Sequence, residues 1–315
     1  MLGFPTKIFS RDSKVFSELV FREEVPDSAL RAALKDIYNI TSLTDMMEYD
    51  DAVIFMGDES SDNYANVESF KGLEYFISAG RISIRMRDKQ PNEFADLTAL
   101  TQITRITQIR DINASFIGNF DRYSLCEEIY IRDCPNVDFS DLFTNFRMLT
   151  NLKKLYIRSV GASKAFPDNF FDIPSLTDEL AIFYVPFGGQ LPDKFDLLAN
   201  KLNTIELVGC GFTNIVPPTL ASQDEATRIN LNRNAFSQSN PNTFNTQPML
   251  SVFRLDNNEL TSSEIENVTS DLVDSLNLTG RVACNVRLES NAEPANQQSQ
   301  DHKTTLENAG WTVTL

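Results

Sequence analysis

One apolar strand pattern returns along this chain at steps of 22 to 26 residues, with a single longer step of 33, and it leaves few ways to fold. Leu250, Phe253, Leu255, Asn258 and Leu260 fill every slot of L-x-x-L-x-L-x-x-N-x-L. Leu202, Ile205, Leu207, Cys210 and Phe212 fill the same slots with Cys in place of Asn. Aligning the fourth slot puts Ile82, Thr104, Ile129, Leu155, Leu180, Ile205, Ile229, Phe253, Val286 and Trp311 in one column. A second marker keeps step with the first: an apolar residue or Asn, then Pro, two spacers and an apolar residue, at Phe166 to Phe170, Leu191 to Phe195, Val216 to Leu220 and Asn240 to Phe244. One such unit cannot bury its own apolar face, so the units must stack and share a core.

The residue types follow from that geometry. Strand side chains alternate, so slots four and six point inward while slots five and seven stand on the solvent face. Asn234, Asn258 and Asn291, with Cys134 and Cys210 as small substitutes, occupy the slot at the bend after the strand. There a side-chain amide can satisfy backbone groups of adjacent turns. The recurrent Pro cannot donate a ladder hydrogen bond, so the back of each turn is expected to be irregular or helical in short pieces.

This pattern resembles the leucine-rich repeat family over roughly residues 67 to 315. Val25-Pro26-Asp27-Ser28-Ala29-Leu30-Arg31-Ala32-Ala33-Leu34 is similar to the N-terminal cap helix of bacterial and bacteriophage members. Phe70-Lys71-Gly72-Leu73-Glu74-Tyr75 resembles their first repeat, and Ala309 to Leu315 their closing strand. The resemblance implies an α/β solenoid with about ten parallel strands on a concave face and a helical N-terminal cap. The expected divisions are an N-terminal extension at 1–25, a cap at 26–66 and the solenoid at 67–315. Asp27 or Ser28 is expected to cap a helix burying Ala29, Leu30, Ala33, Leu34 and Ile37. A second helix is expected in the insert Ser262 to Leu278, capped by Thr261 or Ser262. Residues Glu289 to Lys303 read as polar loop, followed by a last helix from Leu306 and the closing strand, with Trp311 as a plug of the final core layer.

Chemistry-bearing patterns are scarce. His302 is the single histidine, so no His-based triad or His metal cluster can be assembled, and no phosphate-binding loop or nucleophile elbow is present. The reading is therefore of a non-enzymatic chain with no cofactor and no metal. Asp50, Asp51, Asp58, Glu59 and Asp62 lack the order of a calcium-binding loop and read as a solvated acidic stretch. A formal charge of −16 disfavours a nucleic-acid partner. No apolar run nears the ~20 residues that span a bilayer, so no membrane insertion is expected. Met1 to Phe21 lacks the unbroken apolar core of a secretory signal. Cys126, Cys134, Cys210 and Cys284 are expected as reduced, buried thiols.

Slots five and seven of the N-terminal half gather Arg85, Arg105, Tyr130, Arg132, Tyr156, Arg158 and Phe183 on neighbouring strands about 4.8 Å apart. Arg and Tyr are enriched in binding hot spots, which makes these seven the candidate partner-binding set. Intramolecular stacking of Tyr on Arg fits the same residues, with Glu128, Lys154 and Glu179 beside the arginines as possible counter-charges. The expected role is protein–protein interaction, in a bacteriophage virion component (tail, baseplate or capsid-associated) that docks on other structural proteins through this face and its Phe-bearing N-terminal extension. The alternative is a bacterial surface or secreted recognition protein that binds a host or substrate protein.

Overall fold

The computed structural model describes residues 13–57, 67, 69–86, 102–112, 117 and 119–315. Three helices come first: α1 (Ser13–Glu24), α2 (Ser28–Tyr38) and α3 (Leu43–Glu48). Eleven parallel strands then build one sheet, ordered as they occur in the chain. They are β1 (Ala52–Gly57), β2 (Arg81–Met86), β3 (Arg105–Arg110), β4 (Glu128–Asp138), β5 (Lys154–Gly161), β6 (Glu179–Phe183), β7 (Thr204–Val208), β9 (Arg228–Asn230), β11 (Val252–Arg254), β12 (Asn285–Arg287) and β13 (Thr312–Thr314). On the opposite side of the turns, β8 (Thr213–Val216) and β10 (Ala235–Ser239) pair as a second, two-stranded parallel sheet. Short 3₁₀ turns follow the Pro positions at Asp168–Asp172 and Pro218–Ser222. This is the back expected where Pro interrupts the ladder.

The ladder pairs Ile129, Leu155, Leu180, Ile205, Ile229, Phe253 and Val286 in one row, as the repeat demands. Two strands depart from the expected alignment. In β3 it is Ile106, not Thr104, that pairs with Ile82 and Ile129, and a bulge then brings Ile109 opposite Ile84 and Ile131. In β13 it is Val313, not Trp311, that pairs with Val286. Both corrections are slips of two residues. Because the strand period is two, such a slip keeps apolar residues facing the core and leaves the hydrophobic pattern intact.

Asp27 explains how the cap attaches. Its Oδ1 accepts from the backbone N–H of Ala29 at 2.8 Å and Leu30 at 2.9 Å, and its Oδ2 accepts from Ser69 N at 2.9 Å. One carboxylate thus starts α2 and ties it to the first repeat. Leu30, Ala33 and Leu34 are buried, but Ile37 is 41 % exposed, so the expected apolar face is narrower by one residue. Phe21 and Val25 at the end of α1 pack in the same core, and Tyr75 Oη donates to Glu24 at 2.7 Å. Gly72, at φ 107°, lies where a Cβ would meet Val25 Cγ2 at 2.5 Å, so only glycine admits this contact. Strand β1, unforeseen in the sequence, extends the sheet into the cap. Of the acidic stretch, Asp58, Glu59 and Asp62 lie outside the described residues, as do Phe4 and Phe9.

Two devices hold the turns together. Rings of Phe146, Phe139, Phe187, Phe212 and Phe236 follow one another along the back with centroids 4.9 to 6.4 Å apart, and Phe166 joins them 5.1 Å from Phe187. Each fully buried Phe contributes about 1.5–3 kcal/mol by removal from water. In the C-terminal half the bend slot holds an amide ladder. Asn234 Oδ1 accepts from Cys210 N at 3.0 Å and Phe212 N at 3.2 Å, while its Nδ2 donates to Leu207 O at 2.7 Å and Leu231 O at 2.9 Å. Asn258 and Asn291 repeat the arrangement one and two turns later. Cys210 in this slot donates its thiol to carbonyls at 3.4 and 3.5 Å, and its sulfur is a far weaker acceptor than an amide oxygen. The preceding turn compensates: Phe187 N–H is satisfied within its own loop by Val185 O at 2.8 Å.

The insert forms α5 (Ser262–Asp274), capped by Thr261, with Ile265, Val268 and Leu272 buried. Helix α6 (Gln297–Asn308) starts earlier than the polar composition suggested, because Asn296 caps it by accepting from Ser299 N at 2.9 Å. His302 therefore lies on a helix, with Nδ1 3.0 Å from Thr269 Oγ1 of α5. A four-residue helix, α4 (Phe139–Leu142), follows β4. Trp311 is 5 % exposed and carries the Arg281 guanidinium 4.3 Å above its ring centroid. All four cysteines are free and buried.

Candidate functional site

Register decides which candidate residues share the solvent face. Tyr130 pairs with Tyr156, which pairs in turn with Ala181, and Arg132 pairs with Arg158, which pairs in turn with Phe183, so five of the seven expected residues stand on three adjacent strands. Arg105 does not join them. It pairs with Glu128 at slot three, and the β3 bulge puts Arg110 opposite Arg132 instead. Arg85 occupies slot seven of β2 in the backbone register, paired with Arg110; its side chain lies outside the described residues. Arg110 is thus the member that sequence alignment missed.

The aromatic members form a continuous row. Tyr130 and Tyr156 stack with centroids 3.9 Å apart and planes within 5°, and Phe183 continues the row 5.3 Å from Tyr156. Burial first, and then the hydrogen bond from the Tyr130 hydroxyl and its charge, push the Tyr156 hydroxyl up to about 12, with Arg158 pulling back. Tyr156 therefore stays protonated and neutral throughout the physiological range.

In eight successive turns slot eight is left-handed: Asp111, Asp133, Ser159, Tyr184, Gly209, Arg233, Asn257 and Ser290 all have φ between 51° and 62°. Left-handed backbone returns the slot-eight side chain toward the slot-seven residue beside it. Asp133 Oδ2 lies 3.0 Å from Arg132 Nε and 3.3 Å from Arg110 Nε, and Asp111 Oδ2 lies 3.1 Å from Arg110 Nε. The contacts to Arg110 are charge pairs without a hydrogen bond's alignment, since its Nε finds no aligned acceptor. Burial works against the Arg132 charge, but hydrogen bonds to Asp133 and Tyr130 outweigh it and raise its pKa. The neighbours expected to neutralise this column behave otherwise: Glu128 pairs with Lys154 at 3.3 Å. Glu179 titrates above the usual carboxylate range because of burial first and then Glu206 beside it.

Arg158 differs from its two predecessors. Ser159 follows it, and it makes no ion pair among the described residues. Its Nε is buried without an acceptor, and its guanidinium sits 5.7 Å from the centroid of the Tyr184 ring. Tyr184 itself, 40 % exposed, lies across Gly209, where a Cβ would come within 2.7 Å of the ring. Its hydroxyl accepts from Arg233 Nη1 at 3.1 Å. The outcome is an aromatic row beside one uncompensated cation.

Further along, the same face closes on itself. Arg254 holds Asp256 through Nε–Oδ1 at 3.0 Å and Nη2–Oδ2 at 3.1 Å, and Asn232 donates to Asp256 at 3.3 Å. Burial alone would raise the Asp256 carboxyl, but the bonds from Arg254, Asn232 and Asn257 pull it below the usual range. Asn230 likewise donates to Glu206 at 3.1 Å. Among the described residues no group of three His, Cys, Asp or Glu side chains is placed to hold a metal ion. No described helix is long and apolar enough to cross a membrane.

No family model matches the sequence, and no curated protein matches it significantly. Solved structures do match in shape. The chain covers 76 % of itself and 37 % of PEPR1, as seen with AtPEP1, at 10 % identity and a TM-score of 0.50. The fold is a leucine-rich repeat solenoid. The functional domain of InlJ from Listeria monocytogenes, described as including a cysteine ladder, aligns over 89 % of this chain and 59 % of its own length (12 % identity, TM-score 0.49). An internalin, inlF, from the same organism aligns over 94 % and 97 % (10 % identity, TM-score 0.38). Identities this low carry the leucine-rich repeat architecture alone.

Proposed function

We propose that this solenoid is a protein-binding component that docks through the sheet face of its N-terminal half, around Tyr130, Tyr156, Arg158 and Phe183. The observation that carries the reading is the aromatic row. Three rings, fixed on rigid strands, present large apolar area at little further loss of side-chain entropy, which is the composition of a binding hot spot. The self-neutralised polar face from Glu206 to Asp256 offers no comparable anchor. As the setting we propose a bacteriophage virion, in which the chain docks on other structural proteins; the support is the resemblance of its cap helix and closing strand. Phe21 of the N-terminal extension is buried in the cap, and the remainder of the extension is proposed as the second docking element.

The test is site-specific photo-crosslinking in cells that produce the particle. A photoreactive residue at Tyr130 should give one discrete adduct with a virion protein. The same group at Leu197, which is 60 % exposed on the back, should give none. Equal labelling from both positions would refute the docking face, and an adduct with a cell-surface protein instead would refute the virion setting.

A further inference from the structure

The arginine column is not uniform, and its one irregularity names the chemistry of the partner. Arg110 and Arg132 are each answered by the left-handed aspartate that follows a strand, Asp111 or Asp133. At Arg158 the same backbone position holds Ser159, and the next residue across the sheet is Phe183, so no carboxylate reaches it. Arg110 shares the buried, unaligned Nε but has its two carboxylates; Arg158, partly desolvated and without an ion pair among the described residues, is the cation whose counter-charge is missing.

We infer that Arg158 receives a carboxylate side chain of the partner protein, with an aromatic residue of the same partner segment seated on the Tyr156 and Phe183 rings. The inference rests on the docking face proposed above and deepens it. Charge complementarity commits the occupant: no carboxylate among the described residues pairs with Arg158, whereas Arg132 is already paired with Asp133. Spacing adds a constraint. Arg158 and Tyr156 are two residues apart on one strand, about 6.6 Å at the usual rise. A partner in extended conformation presents residues i and i+2 on one face at the same distance, so the acid and the aromatic are two apart in its sequence. A partner carboxylate accepting from the guanidinium supplies the counter-charge that no described carboxylate gives Arg158, and arginine over tyrosine keeps its planar fork pre-organised for it.

The experiment uses the full chain and two blocked peptides, N-acetyl-Tyr-Thr-Glu-Thr-Tyr-amide and its Gln counterpart, with binding followed by the NMR signals of the Tyr130 and Tyr156 rings. The Glu peptide should bind about tenfold more tightly than the Gln peptide, with the difference shrinking as salt rises. Arg158→Gln should abolish that difference, and Arg132→Gln should change it less than about threefold, since Asp133 already occupies Arg132. Equal binding of the two peptides to the wild-type chain overturns the inference while leaving an aromatic docking face in place. So does an Arg132→Gln loss as large as that of Arg158→Gln. No binding of the Glu peptide at about 10 mM, an affinity weaker than any specific contact, also overturns it, and the crosslinking at Tyr130 then decides the docking face independently.

Discussion

Replacing Asn234 by Ala removes the acceptor of two backbone donors, Cys210 N–H and Phe212 N–H, together with the donor to Leu207 and Leu231 carbonyls. An unsatisfied buried donor costs about 1–3 kcal/mol, and this bend is only partly buried, so the two donors together should cost about 2–4 kcal/mol. The chain supplies its own control. Cys210 fills the equivalent slot with a thiol that donates to carbonyls but is a weak acceptor, so Asn234→Cys should recover only about 1 kcal/mol of the loss. Urea unfolding followed by far-UV circular dichroism gives the energies. Amide hydrogen exchange gives the location. Because each turn touches only its neighbours, exchange should quicken at Cys210 and Phe212 while Phe236, held by Asn258, stays protected. A loss below about 0.5 kcal/mol, or faster exchange spread evenly over the solenoid, would show that the amide ladder does not hold the turns together.

Trp311→Ala should cost about 3–5 kcal/mol as a large-to-small core change, and native fluorescence should be blue-shifted; an emission maximum typical of solvent-exposed indole would refute the plug. Burial pushes the thiols of Cys126, Cys134, Cys210 and Cys284 up to about 12 from an ordinary value near 9. Their folded pKa is raised, so the stability they contribute is whole below pH 9 and is lost as pH rises from about 9 toward 12. A thiol reagent at pH 8 should label none of the four in the native protein and all of them after unfolding, and fast labelling of any one would contradict this.

The repeat made most of the sheet readable. Slots from Ile129 to Val286 fell in register because an apolar pattern with a bend residue at a fixed offset has one alignment that satisfies both. Where the bend marker was missing, at β3 and β13, a two-residue slip satisfied the apolar alternation equally well, and the alignment went to Thr104 and Trp311. That ambiguity moved Arg105 into the candidate face and kept Arg110 out. The counter-charges were hidden for a different reason. Adjacent residues on a strand point to opposite faces, so Asp133 beside Arg132 reads as unrelated until its φ of 56° is known. Strand β1 escaped because Ala52 to Gly57 carries no bend slot, only a short apolar run flanked by acids.

The left-handed position after each strand has a consequence for how such a surface diversifies. Seven of its eight residues are not glycine, so the backbone already bears the cost of that conformation whichever side chain is present. Exchange among Asp, Ser, Asn or Tyr there leaves the core and the sheet untouched, yet it decides whether the neighbouring arginine is silent or available. Single substitutions on this rim, Asp to Ser or Ser to Asp, would therefore move the unpaired cation from one turn to the next while every arginine stays in place. On the docking face proposed above, the counter-ions rather than the arginines would then set which partner charge is accepted.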